Sequence, residues 1–144
     1  MTLPLAEGLT LGVQTIHRRT EPSTERWIPS SEDGRDVVEL VDRLGFDSIW
    51  VGDHLAFAIP MLDPVVQLAQ AAVFSTRLKF GTAVFLQPLR HPGPTAKQIA
   101  TLDLLSNGRF IFGLGVGGEF ESDFSVAGVP IAERGSRLSE SIDV

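Results

Sequence analysis

The chain has 144 residues, 43% hydrophobic and 21% charged, with 12 Lys and Arg against 18 Asp and Glu for a formal net charge of −6. These proportions suit a globular protein, and no apolar run is long enough to span a bilayer as a helix, so no membrane partner is expected. The absence of Cys excludes disulfides, thiolate metal ligands and a thiol nucleophile. An acidic balance with scattered charges lacks the concentrated basic surface that nucleic acid demands, so no nucleic-acid partner is expected either. The first residues, Met1-Thr2-Leu3-Pro4, show no basic stretch followed by an apolar one, which makes a cytoplasmic location the default expectation. No internal repeat, low-complexity tract or linker interrupts the pattern, and residues 1–144 read as one domain.

Taken in chain order, Leu9–Ile16 suits a first strand, and the polar, proline-containing Arg18–Pro29 suits a long loop after it. From Glu32 to Leu44, Val37, Val41 and Leu44 recur at helical spacing with Val38 and Leu40 beside them, and Gly45 ends that helix because glycine accepts the left-handed conformation. Ser48–Val51 is a short second strand. Asp63 followed by Pro64 makes a helix start, an oxygen to cap free amides and a ring that suits the first turn, and Val65, Ala69, Ala72 and Val73 continue one face. Leu78–Val84 is a third strand. Its helix is expected to open near Pro94, to bury Ala96, Ile99, Ala100 and Leu104, and to stop at Ser106-Asn107-Gly108. Phe110–Leu114 is a fourth strand, Glu119–Phe124 an irregular or briefly helical stretch, and Ile131, Leu138 and Ile142 mark a last helix.

Strands alternating with helices point to an α/β fold with parallel strands and helical crossovers. Four such units are present, whereas a closed TIM barrel takes eight and about 250 residues. The expected architecture is therefore a parallel (β/α) half-barrel of TIM-barrel type.

Several separated segments carry a more specific signal. Gly81-Thr82-Ala83-Val84, Leu89-Arg90-His91-Pro92, Ala100-Thr101-Leu102-Asp103, Leu105-Ser106-Asn107-Gly108-Arg109 and Phe112-Gly113-Leu114-Gly115 follow one another at characteristic spacing. In this the chain resembles the luciferase-like flavin and deazaflavin oxidoreductase family, over nearly all of its own length but only the N-terminal half of the family's barrel. Such a chain is either a truncated product or a half-barrel that must bury two open sheet edges, and self-association into a homo-oligomer is the expected outcome of those edges. The resemblance implies FMN or coenzyme F420 as cofactor and a small-molecule substrate. It also implies either hydride transfer, with an alcohol-type or unsaturated substrate, or monooxygenation with molecular oxygen. The competing expectation is a non-catalytic half-barrel that self-associates, or binds flavin or a protein partner, without turnover.

The first candidate site is Trp50-Val51-Gly52-Asp53-His54, at the C-terminal end of the second strand, where barrel enzymes place their chemistry. On the residues alone, either Asp53 caps the turn while His54 packs, or His54 works as an acid–base group near neutral pH. The resemblance implies the second, with His54 beside the cofactor's reactive ring and Asp53 in the cofactor site. It also implies that Thr82, Ala83 and Val84 form a bulge under that ring, with a non-proline cis bond between Ala83 and Val84. Gly113, Gly115 and Gly118 spell G-x-G-x-x-G, but that fingerprint needs a helix opening directly on its glycines. Gly115, Val116 and Gly117 are read instead as a strand end where a cofactor can approach the backbone. Glu119, just beyond, is a second catalytic candidate as a proton donor. His91 is expected to order its loop, Asp103 to bind Arg109 or loop amides, and Arg134, Arg137 and Glu140 to form a solvated, ion-paired helix surface. Asp53, His54, His91 and Glu119 share no tight ligand spacing, so no metal site is expected.

Overall fold

A computed structural model of the chain describes residues 8–15, 30–57 and 61–144. The expected end of the first strand at Ile16 and the expected loop over Arg18–Pro29 lie outside the described residues. Strands β1 (Gly12–Gln14), β2 (Ser48–Val51), β3 (Lys79–Thr82) and β5 (Phe110–Ile111) form one parallel sheet in that order. Its register pairs Gly12 with Ser48, Ser48 with Lys79 and Phe80 with Phe110. Between these strands run α1 (Ser31–Arg43), α2 (Pro64–Phe74) and α3 (Pro92–Leu105), the crossovers that parallel pairing requires.

The helix ends follow local chemistry. Ser30 and Asp33 close a capping box on α1, and Gly45 takes a φ of 82° just past its end. Asp63 accepts from the amides of Val65 and Val66, with Pro64 in the first turn of α2. The helix α3 opens at Pro92 rather than Pro94, because Nδ1 of His91 accepts from the Gly93 amide and supplies the cap. Asn107 and Gly108 turn left-handed at its other end. Arg109 then donates to the carbonyls of Ser106, Leu78 and Ala72, tying three elements together, and so is not the partner of Asp103, for which Arg109 or loop amides were expected.

Val38 and Val41 of α1, Leu68 and Ala71 of α2, and Leu102 of α3 bury Ile49, Val51, Leu78 and Phe80 of the sheet region. The buried faces of α2 and α3 differ from those expected. Val73 and Ala69 are exposed, as are Ala96, Ala100 and Leu104, while α3 buries Thr95 and Leu102. Both helices are apolar or small-residued around most of their circumference, so periodicity does not single out one face. Contact with the sheet decides it.

The third and fourth strands are each broken in two. After the cis bond Ala83–Val84, β4 (Phe85–Leu86) pairs in parallel with β6 (Leu114–Gly115), so Phe110–Leu114 is not one strand. The break is held by a reciprocal contact. Thr82 Oγ1 donates to the Gly113 carbonyl at 2.8 Å and accepts from its amide at 3.0 Å, while the Phe85 amide donates to the same carbonyl. From Glu121 the chain forms a short helix, α4 (Glu121–Ala127), the second of the two expected forms, irregular or briefly helical. Phe124 pulls it inward, packing with Leu86 and Leu89. The last helix, α5 (Arg134–Ile142), follows one 3-10 turn over Ile131–Glu133 and is docked as well as solvated, with Arg137 donating to the Pro88 carbonyl.

A Cβ at Gly113 would collide with the carbonyl oxygen of Thr82, a backbone atom with nowhere to go. Gly113→Ala is expected to destabilise the fold by about 1–3 kcal/mol, the usual cost of overpacking, read as a lower midpoint in urea denaturation.

Candidate active site

The C-terminal ends of the parallel strands open onto one cleft of about 470 Å³. Gln14 comes from the end of β1, Gly52, Asp53 and His54 follow β2, Ala83 and Val84 follow β3, Gly115 ends β6, and Val116 to Glu119 follow it. Of the residues that the sequence suggests for a site, Asp53, His54, Ala83, Val84, Gly115, Val116, Gly117 and Glu119 all line this cleft. Thr82 does not. Its side chain is buried and its hydroxyl is committed to Gly113, so it shapes the bulge from behind. His91 lies elsewhere, as the cap of α3. Among the described residues no cluster of three or more His, Cys, Asp and Glu could hold a metal ion.

Asp53 sits 3% exposed at the base of the cleft. Its Oδ2 accepts from the Leu86 amide at 2.9 Å and its Oδ1 from Nη2 of Arg90 at 2.8 Å, while Nη1 of Arg90 also reaches Oδ2, a two-pronged ion pair. The guanidinium lies 4.3 Å from the Phe85 ring centroid, and its Nη2 is 3.5 Å from the Asp63 carboxylate. The Asp53 side chain is thus consumed by the scaffold. Capping and cleft lining meet in one residue, which closes the turn after β2 and forms part of the cleft floor.

His54 is held on three sides. Phe57 stacks on it with centroids 4.5 Å apart and planes 13° from parallel, and Phe120 meets it edge-on at 5.2 Å. Nδ1 lies 2.7 Å from Oδ2 of Asp123, whose Oδ1 accepts from the amides of Leu55 and Ala56 at 2.7 Å each. Nε2 has no protein partner among the described residues. Burial pushes the Asp123 carboxyl up, but the hydrogen bonds from His54 and from the amides of Ala56 and Leu55 outweigh it and hold the group below its ordinary value.

Asp123, Phe57, Phe120, Gln14 and Met61 are cleft residues that the sequence reading did not find. A signal for two of them was present. Phe120, Asp123, Phe124 and Ala127 recur at the i, i+3, i+4, i+7 spacing of a helix face, and a carboxylate on such a face needs a buried partner.

The walls fit a flat ring with apolar faces. Val84 and Val116 stand 43% and 40% exposed in the cleft although their neighbours Phe85 and Leu86 are buried, and the strand end beside them carries only glycines at 115, 117 and 118. Side chains at these glycines would meet Val84, Leu86 and Phe124, or Arg134, so the segment can lie flat only without them.

Residues 10–144 match the luciferase-like monooxygenase family. The chain belongs to that family. This luciferase-like chain is 34% identical over 110 residues to limonene 1,2-monooxygenase of Rhodococcus erythropolis, covering 76% of itself and 28% of that enzyme. It is 31% identical over 109 residues to the oxygenase component of flavin-dependent trigonelline monooxygenase of Acinetobacter baylyi, covering 74% and 30%. It is 34% identical over 125 residues to F420-dependent glucose-6-phosphate dehydrogenase of Amycolatopsis mediterranei, covering 75% and 35%. A crystal structure of a monooxygenase from Streptomyces bottropensis superposes with a TM-score of 0.72 at 29% identity, over 78% of this chain and 35% of that one. The luciferase-like chain therefore spans about a third of the relatives it matches, and its sheet and crossovers are part of a (β/α) barrel.

Removing Arg90 would leave the Asp53 charge buried and unpaired. Arg90→Ala is expected to cost about 3–5 kcal/mol, measured by urea denaturation against wild type. Because the Asp123 carboxyl is lowered from 3.8, its stabilising contribution is complete above that pH and is lost as pH falls through the folded-state value. The stability gap between wild type and Asp123→Asn should accordingly shrink on acidification below pH 3.8, in thermal melts across a pH series.

Proposed function

We propose that this chain carries the reacting end of the active site in a flavin- or F420-dependent oxidoreductase, with His54 as its proton-transfer group. The observation that carries the reading is the convergence of a buttressed histidine, one ring nitrogen of which has no partner among the described residues, and an apolar, glycine-walled cleft beside the Ala83–Val84 bulge. Ala83 and Val84 on one side and Gly115, Val116 and Gly117 on the other would hold the cofactor ring. When bound, F420 would supply a two-electron hydride acceptor, and FMN a ring that also reacts with oxygen once reduced.

For an alcohol substrate, His54 takes the hydroxyl proton at Nε2 as the carbon gives up its hydride, leaving a carbonyl product. The ring's stacking on Phe57 and contact with Phe120 exclude water from that transfer. Glu119, exposed and lining the cleft, would serve as a proton donor there. Hydride transfer is the preferred reaction because it needs a base where His54 stands. Monooxygenation is the second reading, favoured by the likeness to the limonene and trigonelline enzymes.

The test uses protein expressed from its complete reading frame, titrated separately with F420 and FMN and followed by absorbance and fluorescence. Saturable binding of one cofactor, with substrate-dependent bleaching of F420 or oxygen uptake with reduced FMN, supports the reading and chooses the reaction. His54→Ala is expected to lower turnover about 10²–10⁴-fold with cofactor affinity retained. Failure to bind either cofactor would favour a non-catalytic role for the barrel.

A further inference from the structure

A histidine that exchanges protons at Nε2 must keep its other nitrogen in a defined state, and the structure contains a group able to impose one. Asp123 is 1% exposed and its two oxygens have separate duties. Oδ1 takes both backbone amides of the turn, from Leu55 and Ala56, and Oδ2 takes Nδ1 of His54, each at 2.7 Å. An ionised carboxylate only accepts hydrogen bonds, so Nδ1 must bring the proton to this contact. The partition is fixed from both sides: Ser122 donates its hydroxyl to the Ala56 carbonyl at 2.8 Å, and Phe124, 2% exposed, anchors the helix against Leu86 and Leu89.

We infer that Asp123 is a positioning residue that fixes His54 in the Nδ1-protonated tautomer and so leaves Nε2 as the nitrogen that exchanges the proton. The turnover consequence rests on the proposed role of His54; the tautomer assignment does not.

The contact geometry makes the inference unusually easy to invert. In Asp123→Asn one oxygen becomes an NH2 group, which cannot accept. The two backbone amides of Leu55 and Ala56 need the remaining oxygen, so the NH2 must face His54 and Nδ1 must become the acceptor. The ring proton then moves to Nε2 with no change in side-chain shape. In triads built on the same contact, replacing the carboxylate by its amide leaves the geometry intact and removes activity through the wrong tautomer. His91 supplies an internal reference of opposite sense, since its Nδ1 accepts from the Gly93 amide at 3.3 Å and its proton belongs on Nε2.

The test is long-range ¹H–¹⁵N correlation of the imidazole rings in the folded full-length protein at about pH 8, where an unperturbed histidine is neutral, with signals assigned through His54→Gln and His91→Gln. Wild type should show His54 protonated on Nδ1 and His91 on Nε2. Asp123→Asn should switch His54 alone to the Nε2 form and lower kcat about 10²–10⁴-fold with KM for the cofactor little changed. A wild-type His54 protonated on Nε2 overturns the inference, and this measurement stands even where the variant does not fold. Retention of the Nδ1 form in folded Asp123→Asn overturns it as well. A switched tautomer with unchanged kcat would uphold the hold of Asp123 on the ring and overturn the proton-transfer reading of His54.

Discussion

With its side chain out of water, the Asp53 carboxylate is met by the Leu86 amide and the Arg90 guanidinium together, and the shape of the cleft follows from that pairing. The amide belongs to β4 and the guanidinium to the approach to α3, so satisfying one carboxylate at the end of β2 fixes the chain on both sides of the 3-10 turn Gln87–Leu89. Arg90 also lies over Phe85, whose amide donates to the Gly113 carbonyl, and Gly113 is bonded in turn to Thr82. A continuous set of buried polar contacts therefore runs from β2 through β4 to the break in the fourth strand. Its strand-to-strand members, Asp53 with Leu86 and both Phe85 and Thr82 with Gly113, join segments far apart in the chain and reinforce one another.

The two aspartates of the cleft divide the work. Asp53 is spent on the scaffold, neutralised by Arg90, and offers little to a substrate. Asp123 faces His54 with no arginine or lysine bonded to it among the described residues, and backbone amides supply further hydrogen bonds to it. A carboxylate balanced by amides keeps its full ability to accept from an imidazole, whereas one balanced by a guanidinium shares it. The aromatic rings of Phe57 and Phe120 complete the pocket around His54, and their apolar surface strengthens each polar contact beside them by keeping water away.

Much of the local architecture was legible in residues close together in the chain. Ser48–Val51 is the second strand as expected, Asp63 and Pro64 open α2, Gly45 and Gly108 end their helices, and His91 orders its loop. The resemblance located the cis bond Ala83–Val84 and placed Asp53, His54, Ala83 and Val84 together, all of which line the cleft. What failed was orientation. The helices α2 and α3 carry apolar residues on several sides, so the identity of the inward face had to wait for the sheet, and Leu104 and Val73 finished outside. The fourth strand looked continuous because Phe110 to Leu114 has strand composition throughout, and nothing local announces that Thr82 will interrupt it at Gly113.

The sequence by itself determined where elements start and stop and which segments follow the ends of strands, because caps, prolines and left-handed glycines act within a few residues of themselves. Only the tertiary structure decided what those segments do. Asp53 meets Arg90 across 37 positions and His54 meets Asp123 across 69, and no local propensity records a contact between groups so far apart in the chain. The carboxylate of Asp123 is an ordinary helix residue in the sequence. Burial and two backbone amides make it the partner of His54, and both conditions arise only once the loop after β2 and the helix after β6 close over the same cleft.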